Sequence, residues 1–423
     1  MKRRFVTVLG SMVLAVSLLT GCGAGKGTSG EMTKIEGFDE VVTGIENIEI
    51  PEGVRIVALG EATHGNSEFQ QLKREVFEIL NEKHGIKALI LEGDFGGCSL
   101  VNDYIQGGEG DTKELTRHLG YRLYRTPDME NLIKYMREYN DSAKEEEKIR
   151  FYGMDIQSSM DDKAVIENFY ALADTDKMAK FTEDFESLIG TVEYEFDTNK
   201  TDDIKAFLEA TGKDIEDNKD AYIAAAGADS YLRAKIAVTA LTNYIDLNSG
   251  ADYNRFRDDC MRAIVKEVLE FEETEHNSEL MLSCHDGHMT KNQSSRYTFL
   301  GKDLYDELGS AYYAIGTDFY VTNCNLPGND GRVVKEFCSD DPLAYSMKDS
   351  EIKGGYLDFA KVEEGSNLYK YVYESIPTGS LGEYYQTGME LMKANYQLKF
   401  APSEMYDAMI LYYEVTPTEI WTD

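Results

Sequence analysis

The chain has 423 residues, with 43 Lys and Arg against 77 Asp and Glu, for a formal net charge of −34. A surface of this sign repels nucleic-acid backbones and anionic headgroups, which excludes both as charge-driven partners. A cationic substrate is compatible with it but not implied. The length suffices for one or two domains with a large core.

The first 33 residues have the pattern of an export signal followed by a tether. Lys2, Arg3 and Arg4 precede an apolar run over 5–18, which is the layout of a secretory signal rather than of a membrane-spanning helix. The run ends in Leu-Thr-Gly-Cys, which resembles the lipobox of bacterial lipoproteins. We therefore predict removal of residues 1–21, a lipid on Cys22, and a flexible Gly-rich tether over 22–33. The protein would then lie outside the cytoplasm, anchored to the cell membrane by that lipid.

Short apolar runs alternate with amphipathic segments over 34–423, which we predict to be one domain. The near-continuous hydrophobicity of the runs suits strands that are covered on both faces of a parallel sheet. The predicted strands are 54–59, 87–91, 149–154, 279–284, 311–317 and 408–415, and the predicted helices are 68–84, 128–144 and 253–275. The fold class is predicted as α/β, with a mostly parallel central sheet flanked by helices.

Two segments depart from this alternation. Residues 161–249 are acidic and Ala-rich without a clear strand, which predicts a mostly helical insertion beside the sheet. Residues 323–356 are rich in Gly, Asp and Asn, and we predict loops there. Besides Cys22 there are five cysteines without a C-x-x-C pair, so no complete disulfide framework is expected, and a Cys324–Cys338 bridge is one open possibility.

Acids and histidines follow four of the predicted strands. In an open α/β sheet the ligand crevice lies beyond the carboxyl ends of the strands, so side chains in these positions share one edge. They are Glu61 and His64, Glu92 and Asp94, Asp155, and His285, Asp286 and His288. Their convergence predicts a functional site at that edge.

A set of carboxylates and imidazoles without a nucleophile favours direct attack by water. The G-x-S-x-G string of common Ser hydrolases does not occur in the sequence. A neutral imidazole, with an ordinary pKa of about 6.5, can take a proton from water. We predict His64 as the general base, oriented by Glu61 or Glu92, with His285 or His288 binding the carbonyl or the developing oxyanion.

The same side chains could instead bind a metal. His285 and His288, with His64 and two Glu side chains, suit zinc or manganese by ligand type. The string H-D-G-H is loop-like because it contains Gly, and it differs from the helical H-E-x-x-H of metalloproteases. No cofactor is therefore predicted, and a divalent metal stays an alternative.

Eight strings occur in a characteristic order: LGEATHGNSEF, LEGD, YRTPDMENLIKYMREYN, FYGMDIQ, RDDCM, CHDGHMTK, YYAIGTDF and AMILYYEVTP. Together they resemble the erythromycin esterase family in order and spacing, from about Val54 to Thr418. The resemblance implies an α/β fold with helical additions, and hydrolysis of a macrolide lactone ester by an activated water, without a demonstrated need for a bound metal. It identifies 34–423 as an erythromycin-esterase-like hydrolase domain.

Strand ends and resemblance together suggest the roles of individual residues. We assign catalytic roles to His64, Glu61, Glu92 and His285, and substrate binding to His288, Lys73, Arg257 and Asp94. The resemblance alone implies the roles of Lys73 and Arg257. The structural alternatives are a solvated helix charge for Lys73 and, for Arg257, a salt bridge that holds Asp258 or a neighbouring helix.

The chain also departs from the family. Many relatives have Asn where this chain has Asp286, and Tyr rather than Trp supplies the aromatic character of the middle motifs. Export separates the protein from cytoplasmic ribosomes, so we place ester hydrolysis ahead of macrolide hydrolysis. A third hypothesis is a non-catalytic lipoprotein that binds a small molecule, although such proteins usually have two lobes of similar size. The oligomeric state is left open.

Overall fold

A single β-sheet organises the part of the chain that this computed structural model describes, residues 32–193, 195–293, 299–329 and 331–421. Within these residues nine strands form the sheet and two more form a separate antiparallel pair, β9 with β10. The strands are β1 (Thr43–Gly44), β2 (Ile56–Glu61), β3 (Ala88–Asp94), β4 (Arg150–Asp155), β5 (Leu280–His285), β6 (Tyr312–Gly328), β7 (Gly331–Cys338), β8 (Gly355–Asp358), β9 (Ile376–Gly379), β10 (Gln397–Phe400) and β11 (Ala408–Val415).

The sheet has the order β1-β8-β11-β6-β2-β5-β3-β4, and β7 pairs with β6. Every pairing from β11 across to β4 is parallel, whereas β1, β7 and β8 join antiparallel. The predicted α/β fold with a mostly parallel sheet is therefore confirmed. Each of the six predicted strands overlaps an observed one and starts within two residues of it.

Helices connect the strands and cover the sheet. The longer ones are α1 (Ser67–His84), α2 (Phe95–Ile105), α3 (Pro127–Ser142), α4 (Met160–Ala173), α5 (Thr175–Leu188), α6 (Thr201–Asp217), α7 (Lys219–Ala226), α8 (Ala228–Asn248), α9 (Tyr253–Phe271) and α10 (Leu300–Leu308). Short helices lie at Phe38–Val41, Thr112–Leu115, Asp286–Met289, Pro342–Tyr345, Tyr369–Tyr373 and Pro402–Met405. Between β4 and β5 the described residues contain helices and no strand, and none of the residues that line the cavity described below lies on α4–α8.

Local sequence explains where these helices begin. In the string RTPDME, the Thr126 hydroxyl accepts a hydrogen bond from the Met129 amide at 3.2 Å, and Pro127 occupies the first helical position of α3. The hydroxyl satisfies an amide that lacks a partner inside the helix, and proline loses nothing there because its nitrogen carries no hydrogen.

The core lies on both faces of the sheet. On β2 the side chains of Ile56 and Ala58 belong to one buried cluster, while those of Val57 and Leu59 belong to a second cluster on the other face. All four are at most 1% exposed. A strand that is covered on both sides loses the alternation of polar and apolar residues, which explains the continuous apolar runs of the sequence.

The prediction of loops over 323–356 is wrong. Strand β6 continues to Gly328, turns back into β7, and is followed by the short helix Pro342–Tyr345 and by β8. Gly328 pairs with Gly331 at the hairpin turn, and Thr322, Cys324 and Leu326 are buried in alternation with less buried neighbours. Because asparagines separate the buried residues Thr322, Cys324 and Leu326, the segment has no continuous apolar run. Its Gly and Asn residues are also typical of loops.

The cysteine possibility also fails, because Cys324 and Cys338 are both free thiols. In the register of the hairpin Cys324 pairs with Lys335 and Cys338 with Val321, so the two are not opposite each other.

The export signal predicted over 1–21, and all of the tether but its last residues, lie outside the described residues. Membrane crossing needs more length and hydrophobicity than any helix in the described ranges has.

Candidate active site

The polar ends of four neighbouring parallel strands meet at one edge of the sheet. Strands β2, β5, β3 and β4 lie side by side, and Glu61 pairs in register with His285. A cavity of about 270 Å³ opens there. It is lined by His64, Glu92, Tyr121, Leu123, Tyr124, Gln157, Tyr253, Arg257, His288 and Glu383. His64 and His285 lie with their ring centroids 4.9 Å apart.

The loop after β2 holds His64 at the cavity by backbone and side-chain contacts. Gly65 packs on β6 so closely that a Cβ atom there would lie 2.5 Å from the Asn325 carbonyl oxygen and the Cys324 sulfur. The Asn325 amide donates to the Gly65 carbonyl at 3.1 Å, and the Gly65 amide donates to the Thr63 hydroxyl at 2.9 Å. The string T-H-G therefore presents an imidazole from a rigid loop, because only glycine fits beside it.

A hydrogen-bonded chain runs from Lys73 through Glu61 to His64. The Lys73 ammonium donates to Glu61 Oε2 at 2.5 Å, and Glu61 Oε1 lies 2.7 Å from His64 Nδ1. Burial acts to raise the pKa of Glu61, but the positive charge of Lys73 and the His64 contact lower it to about 2. Glu61 is therefore ionised and holds the proton on Nδ1, which leaves Nε2 as the nitrogen that can accept a proton.

The pKa of His64 is raised by this environment. Burial, the largest influence, lowers it, but the hydrogen bond and charge of Glu61 outweigh burial, and Glu92 and Glu383 add to the effect. In the described part of the chain no protein group bonds to Nε2 of His64, and the side chain is 13% exposed. His64 is thus an imidazole of increased basicity at the wall of the cavity.

Lys73 does not occupy the substrate-binding position that was predicted for it. Its side chain is 1% exposed, lies behind Glu61 and is absent from the cavity wall. It projects from the buried face of α1 together with Phe69, Val76 and Leu80. A lysine on an apolar helix face needs a buried anion, and this spacing is the signal that could have placed Lys73 in the core.

A second network centres on Arg257, at the start of α9. Its guanidinium donates to both oxygens of Asp155 at 2.9 Å, to Glu92 Oε1 at 2.8 Å and to the Tyr121 hydroxyl at 3.0 Å. Burial acts to raise the pKa of Glu92, but the charges of His288 and Arg257 hold it well below its usual range. Arg257 therefore lines the cavity as predicted, and it is also the salt-bridge partner of two buried carboxylates.

His288 is a cation in this network. Its Nδ1 lies 3.0 Å from Asp258 Oδ1 and its Nε2 lies 3.3 Å from Glu92 Oε1. Burial lowers the pKa of His288, but Glu92 and Asp258 raise it to about 9. Three carboxylates, those of Glu92, Asp155 and Asp258, thus hold two neighbouring cations, Arg257 and His288, side by side.

His285 is neutral and fixed in one orientation. Its Nδ1 accepts from the Gly287 amide at 2.9 Å, and its Nε2 lies 3.2 Å from the Leu381 carbonyl, which can only accept. Burial, together with the charge of His64, lowers the pKa of His285 to about 3. Its backbone amide also donates to Glu92 at 2.9 Å, so this residue ties β5 to β3 and to the loop of Leu381.

Asp94 is not part of the cavity wall, in contrast to the substrate-binding role predicted for it. Its carboxylate is the N-cap of α2 and accepts from the Gly97 amide at 2.7 Å. Burial raises the pKa of Asp94 well above its usual range. The string LEGD places Glu92 and Asp94 two residues apart, but the register between β3 and β4 shifts between Leu91 and Asp94, which sends the second acid into the helix cap.

Asp286 begins the short helix after β5 and is buried against β6. It is 1% exposed, and burial raises its pKa well above the usual range. Its Oδ1 lies 3.4 Å from the Thr317 amide, at the edge of hydrogen-bond range.

Several cavity residues were not assigned roles from the sequence. Asp155 and Gln157 lie in the string FYGMDIQ, and only Asp155 was noted, as a strand end. Gln157 donates to Asp155 at 2.8 Å and to the Tyr121 hydroxyl, and it accepts from the Tyr253 hydroxyl. Glu383 lies in an irregular segment after β9, where no periodic pattern marks it. Only the folded chain brings it to the others.

The ligand set proposed for a metal does not form a cluster of that kind. Within the described residues no group of three or more His, Cys, Asp and Glu side chains is arranged to hold a metal ion. Both ring nitrogens of His285 take part in hydrogen bonds, and Glu92 is bound by Arg257 and His288. The donor set therefore fits two hydrogen-bonded networks better than a coordination sphere.

Comparison with known proteins identifies the family. A family model described as erythromycin esterase matches residues 81–415. Erythromycin esterase type II of Escherichia coli is 30% identical over 128 residues, which cover 29% of this chain and 30% of that protein, less than a third of its length.

Solved structures extend the similarity to the whole fold. A Bacillus cereus protein of known structure has a TM-score of 0.71 and 21% identity, covering 88% of this chain and 91% of that one. A mutant of the erythromycin esterase EreC, in its open conformation, has a TM-score of 0.59 and 15% identity, covering 86% of this chain and 91% of that one. The family model alone spans most of the chain, and the chain therefore belongs to the erythromycin esterase family.

Proposed function

We propose that this protein is a hydrolase that cleaves an ester or lactone with a water molecule activated by His64. The observation that carries the proposal is the 2.7 Å contact between Glu61 and His64 Nδ1, with Nε2 left to the cavity. Ionised Glu61, itself paired with Lys73, keeps the basic lone pair of the imidazole on Nε2. The family supports a hydrolase, and the site supports water as the nucleophile.

In the proposed reaction His64 Nε2 takes a proton from water while the oxygen of that water attacks the carbonyl carbon. The carbon–oxygen double bond becomes a single bond, and its electron pair forms the oxyanion of a tetrahedral intermediate. The intermediate collapses to the acid, the alkoxide leaves, and the proton held by His64 passes to that alkoxide. Each bond change is balanced, and His64 ends in its starting state.

We assign stabilisation of the oxyanion to His288 and Arg257. Both line the cavity, and both carry positive charge at neutral pH because Glu92, Asp155 and Asp258 surround them. Cations that are held in place before the reaction cost no reorganisation when the oxyanion forms. His285 is a weaker candidate, since its pKa of about 3 keeps it neutral and its hydrogen bonds fix it to the protein. We therefore reassign His285 from a catalytic to a positioning role.

The substrate class that we propose is an ester or lactone. The cavity volume of about 270 Å³ lies just below the range of about 300–1,000 Å³ that is common for drug-sized ligands. We also propose that the lipid on Cys22 anchors the enzyme outside the cytoplasm. The volume favours a compact substrate, and the location separates the enzyme from the ribosomes that macrolides inhibit. A macrolide therefore belongs in the test panel as one candidate.

The test of this proposal is hydrolysis by enzyme freed of metal. We expect chelator-treated protein, with its metal content checked by elemental analysis, to release acid from at least one member of an ester and lactone panel in a pH-stat. Activity that disappears with the metal and returns on adding zinc or manganese would support the metal-dependent alternative instead. Binding of panel compounds without any acid release would support a binding protein.

The pH dependence of kcat/KM is expected to form a bell. Activity rises as pH increases through the pKa of His64, which lies above 6.5, because only the neutral imidazole is a base. It falls as pH increases through about 9, where His288 loses the proton that makes it a cation. Measurement with a neutral ester over pH 5 to 10 checks both limbs. A plateau that extends below pH 6 would contradict the role of His64.

A further inference from the structure

The polar groups of the cavity wall are mostly occupied by one another. The Tyr124 hydroxyl donates to the Glu92 carbonyl at 3.0 Å, and the Tyr253 hydroxyl donates to Gln157. Gln157 donates in turn to Asp155 and to the Tyr121 hydroxyl. A ligand therefore finds few unused hydrogen-bonding atoms in a cavity whose lining is almost entirely polar. Besides His64 Nε2, the main exception is Glu383.

Glu383 is paired with a cation only over a long distance. Its Oε1 lies 3.5 Å from a guanidinium nitrogen of Arg332 in β7. A distance of 3.5 Å is longer than the roughly 2.7–2.9 Å of a strong charge-assisted bond. The side chain is 30% exposed, so the negative charge of Glu383 is available at the cavity wall.

Aromatic rings share this wall with Glu383. Tyr253 is 48% exposed although it is a large apolar residue, and Tyr121 and Tyr124 lie deeper. Because the Tyr253 hydroxyl is engaged by Gln157, what Tyr253 can offer to a ligand is mainly the surface of its ring. A carboxylate and aromatic rings in the wall of one cavity are a combination that binds ammonium groups, since both attract positive charge.

We infer that Glu383 determines specificity by binding a protonated amine of the substrate. The inference rests on the proposed function: the substrate is a compact ester or lactone with an ammonium group, and its carbonyl lies between His64 and the Arg257–His288 pair. Glu383 also contributes to the negative potential that raises the pKa of His64, and a negative potential favours a positively charged substrate. The net charge of −34 attracts such substrates from a distance.

A hydroxyl-rich substrate is the main rival, because hydroxyls also donate to carboxylates. A polyol needs several donors and acceptors around its perimeter, however, and the wall has few unused ones. A single ammonium group needs only the Glu383 carboxylate and a ring face. The inventory of unused atoms therefore favours one cationic group over many neutral ones.

The experiment uses two esters of nearly equal shape. In 2-(dimethylamino)ethyl acetate a protonated nitrogen occupies the place of the branched carbon of 3-methylbutyl acetate. We expect wild-type enzyme at neutral pH to prefer the amine by at least about tenfold in kcat/KM, the equivalent of about 1.4 kcal/mol. The preference should fall to within about twofold in Glu383→Gln and invert in Glu383→Lys.

Glu390→Gln is the matched control. Glu390 lies seven residues further along the same segment, binds the Tyr385 hydroxyl and does not line the cavity. Glu390→Gln removes the same charge as Glu383→Gln does. A change of substrate preference in Glu390→Gln would therefore indicate a long-range effect of charge and overturn the inference. An unchanged preference in Glu383→Gln would overturn it as well, as would faster cleavage of 2-hydroxyethyl acetate than of the amine.

Failure of the inference can be told apart from failure of the proposed function. If the enzyme cleaves both esters equally well, ester hydrolysis stands and the ammonium site is wrong. If it cleaves neither ester, ligand-observed NMR compares binding of 2-(dimethylamino)ethanol with that of 3-methylbutanol. Selective binding of the amine that is lost in Glu383→Gln would support the ammonium site without hydrolysis, and equal binding would overturn it.

Discussion

Replacing His64 with Asn should lower kcat by about 10²–10⁴, the usual contribution of a positioned general base. The asparagine side chain can still contact Glu61 but has no basic nitrogen to take a proton from water. The fold should persist, because Lys73 continues to neutralise Glu61 at 2.5 Å. The measurement is initial-rate hydrolysis of a responsive ester, with thermal unfolding followed in parallel by circular dichroism.

His276→Asn is the matched control for that variant. His276 also pairs with a carboxylate, at 3.1 Å from Asp229, but it lies in the helical turn that follows α9 and does not line the cavity. We expect its kcat to stay within about twofold of wild type, as for a substitution away from the reacting groups. Retained turnover in His64→Asn, with an unfolding midpoint like that of wild type, would remove His64 from the mechanism.

Replacing Arg257 with Met should destabilise the protein by about 3–5 kcal/mol, because it removes one partner of a buried ionic network. Glu92 and Asp155 are 4% and 1% exposed, and without the guanidinium both would be charged carboxylates with too few cations. Hydrolysis should be lost as well, since the cation next to the oxyanion disappears. Arg257→Lys keeps the charge but not the fork that reaches both carboxylates, and we expect an intermediate loss.

Arg255→Met provides the comparison for Arg257. Arg255 lies on the same helix and pairs with Asp259 and Asp303, but its side chain is 40% exposed. Solvent screens such pairs, and we expect a loss of only about 0–1 kcal/mol. Chemical denaturation of the three variants measures the difference. Equal stability of Arg255→Met and Arg257→Met would show that the network around Arg257 does not stabilise the fold.

Parts of the fold were predictable because their signal is local. The apolar runs that became β2 to β5 are covered on both faces, so nearly every residue in them is apolar and the runs stand out. Helix α3 was predicted from its periodicity to within two residues at each end. The β6–β7 hairpin was missed because apolar and polar residues are mixed along it and its turn is rich in Gly and Asn.

For the candidate site too, some features follow from the sequence and others only from the folded structure. The sequence by itself determined that Glu61, His64, Glu92, His285 and His288 share one edge of the sheet, because parallel strands end on the same side. Which imidazole is basic, which is cationic and which is neutral was decided only by the tertiary structure. Those states depend on partners that are distant in sequence, such as Asp258 for His288 and the Leu381 carbonyl for His285.

The same distinction explains the residues that changed roles or were missed. The side chain of Lys73 is buried, where it neutralises the carboxylate of Glu61. Asp94 caps a helix because the register of β3 shifts beside it. Glu383 joined the cavity from a segment without any regular pattern, some three hundred residues along the chain from His64. Residue types and strand ends are properties of the sequence, whereas charge states and hydrogen-bond partners arise from contacts that exist only after folding.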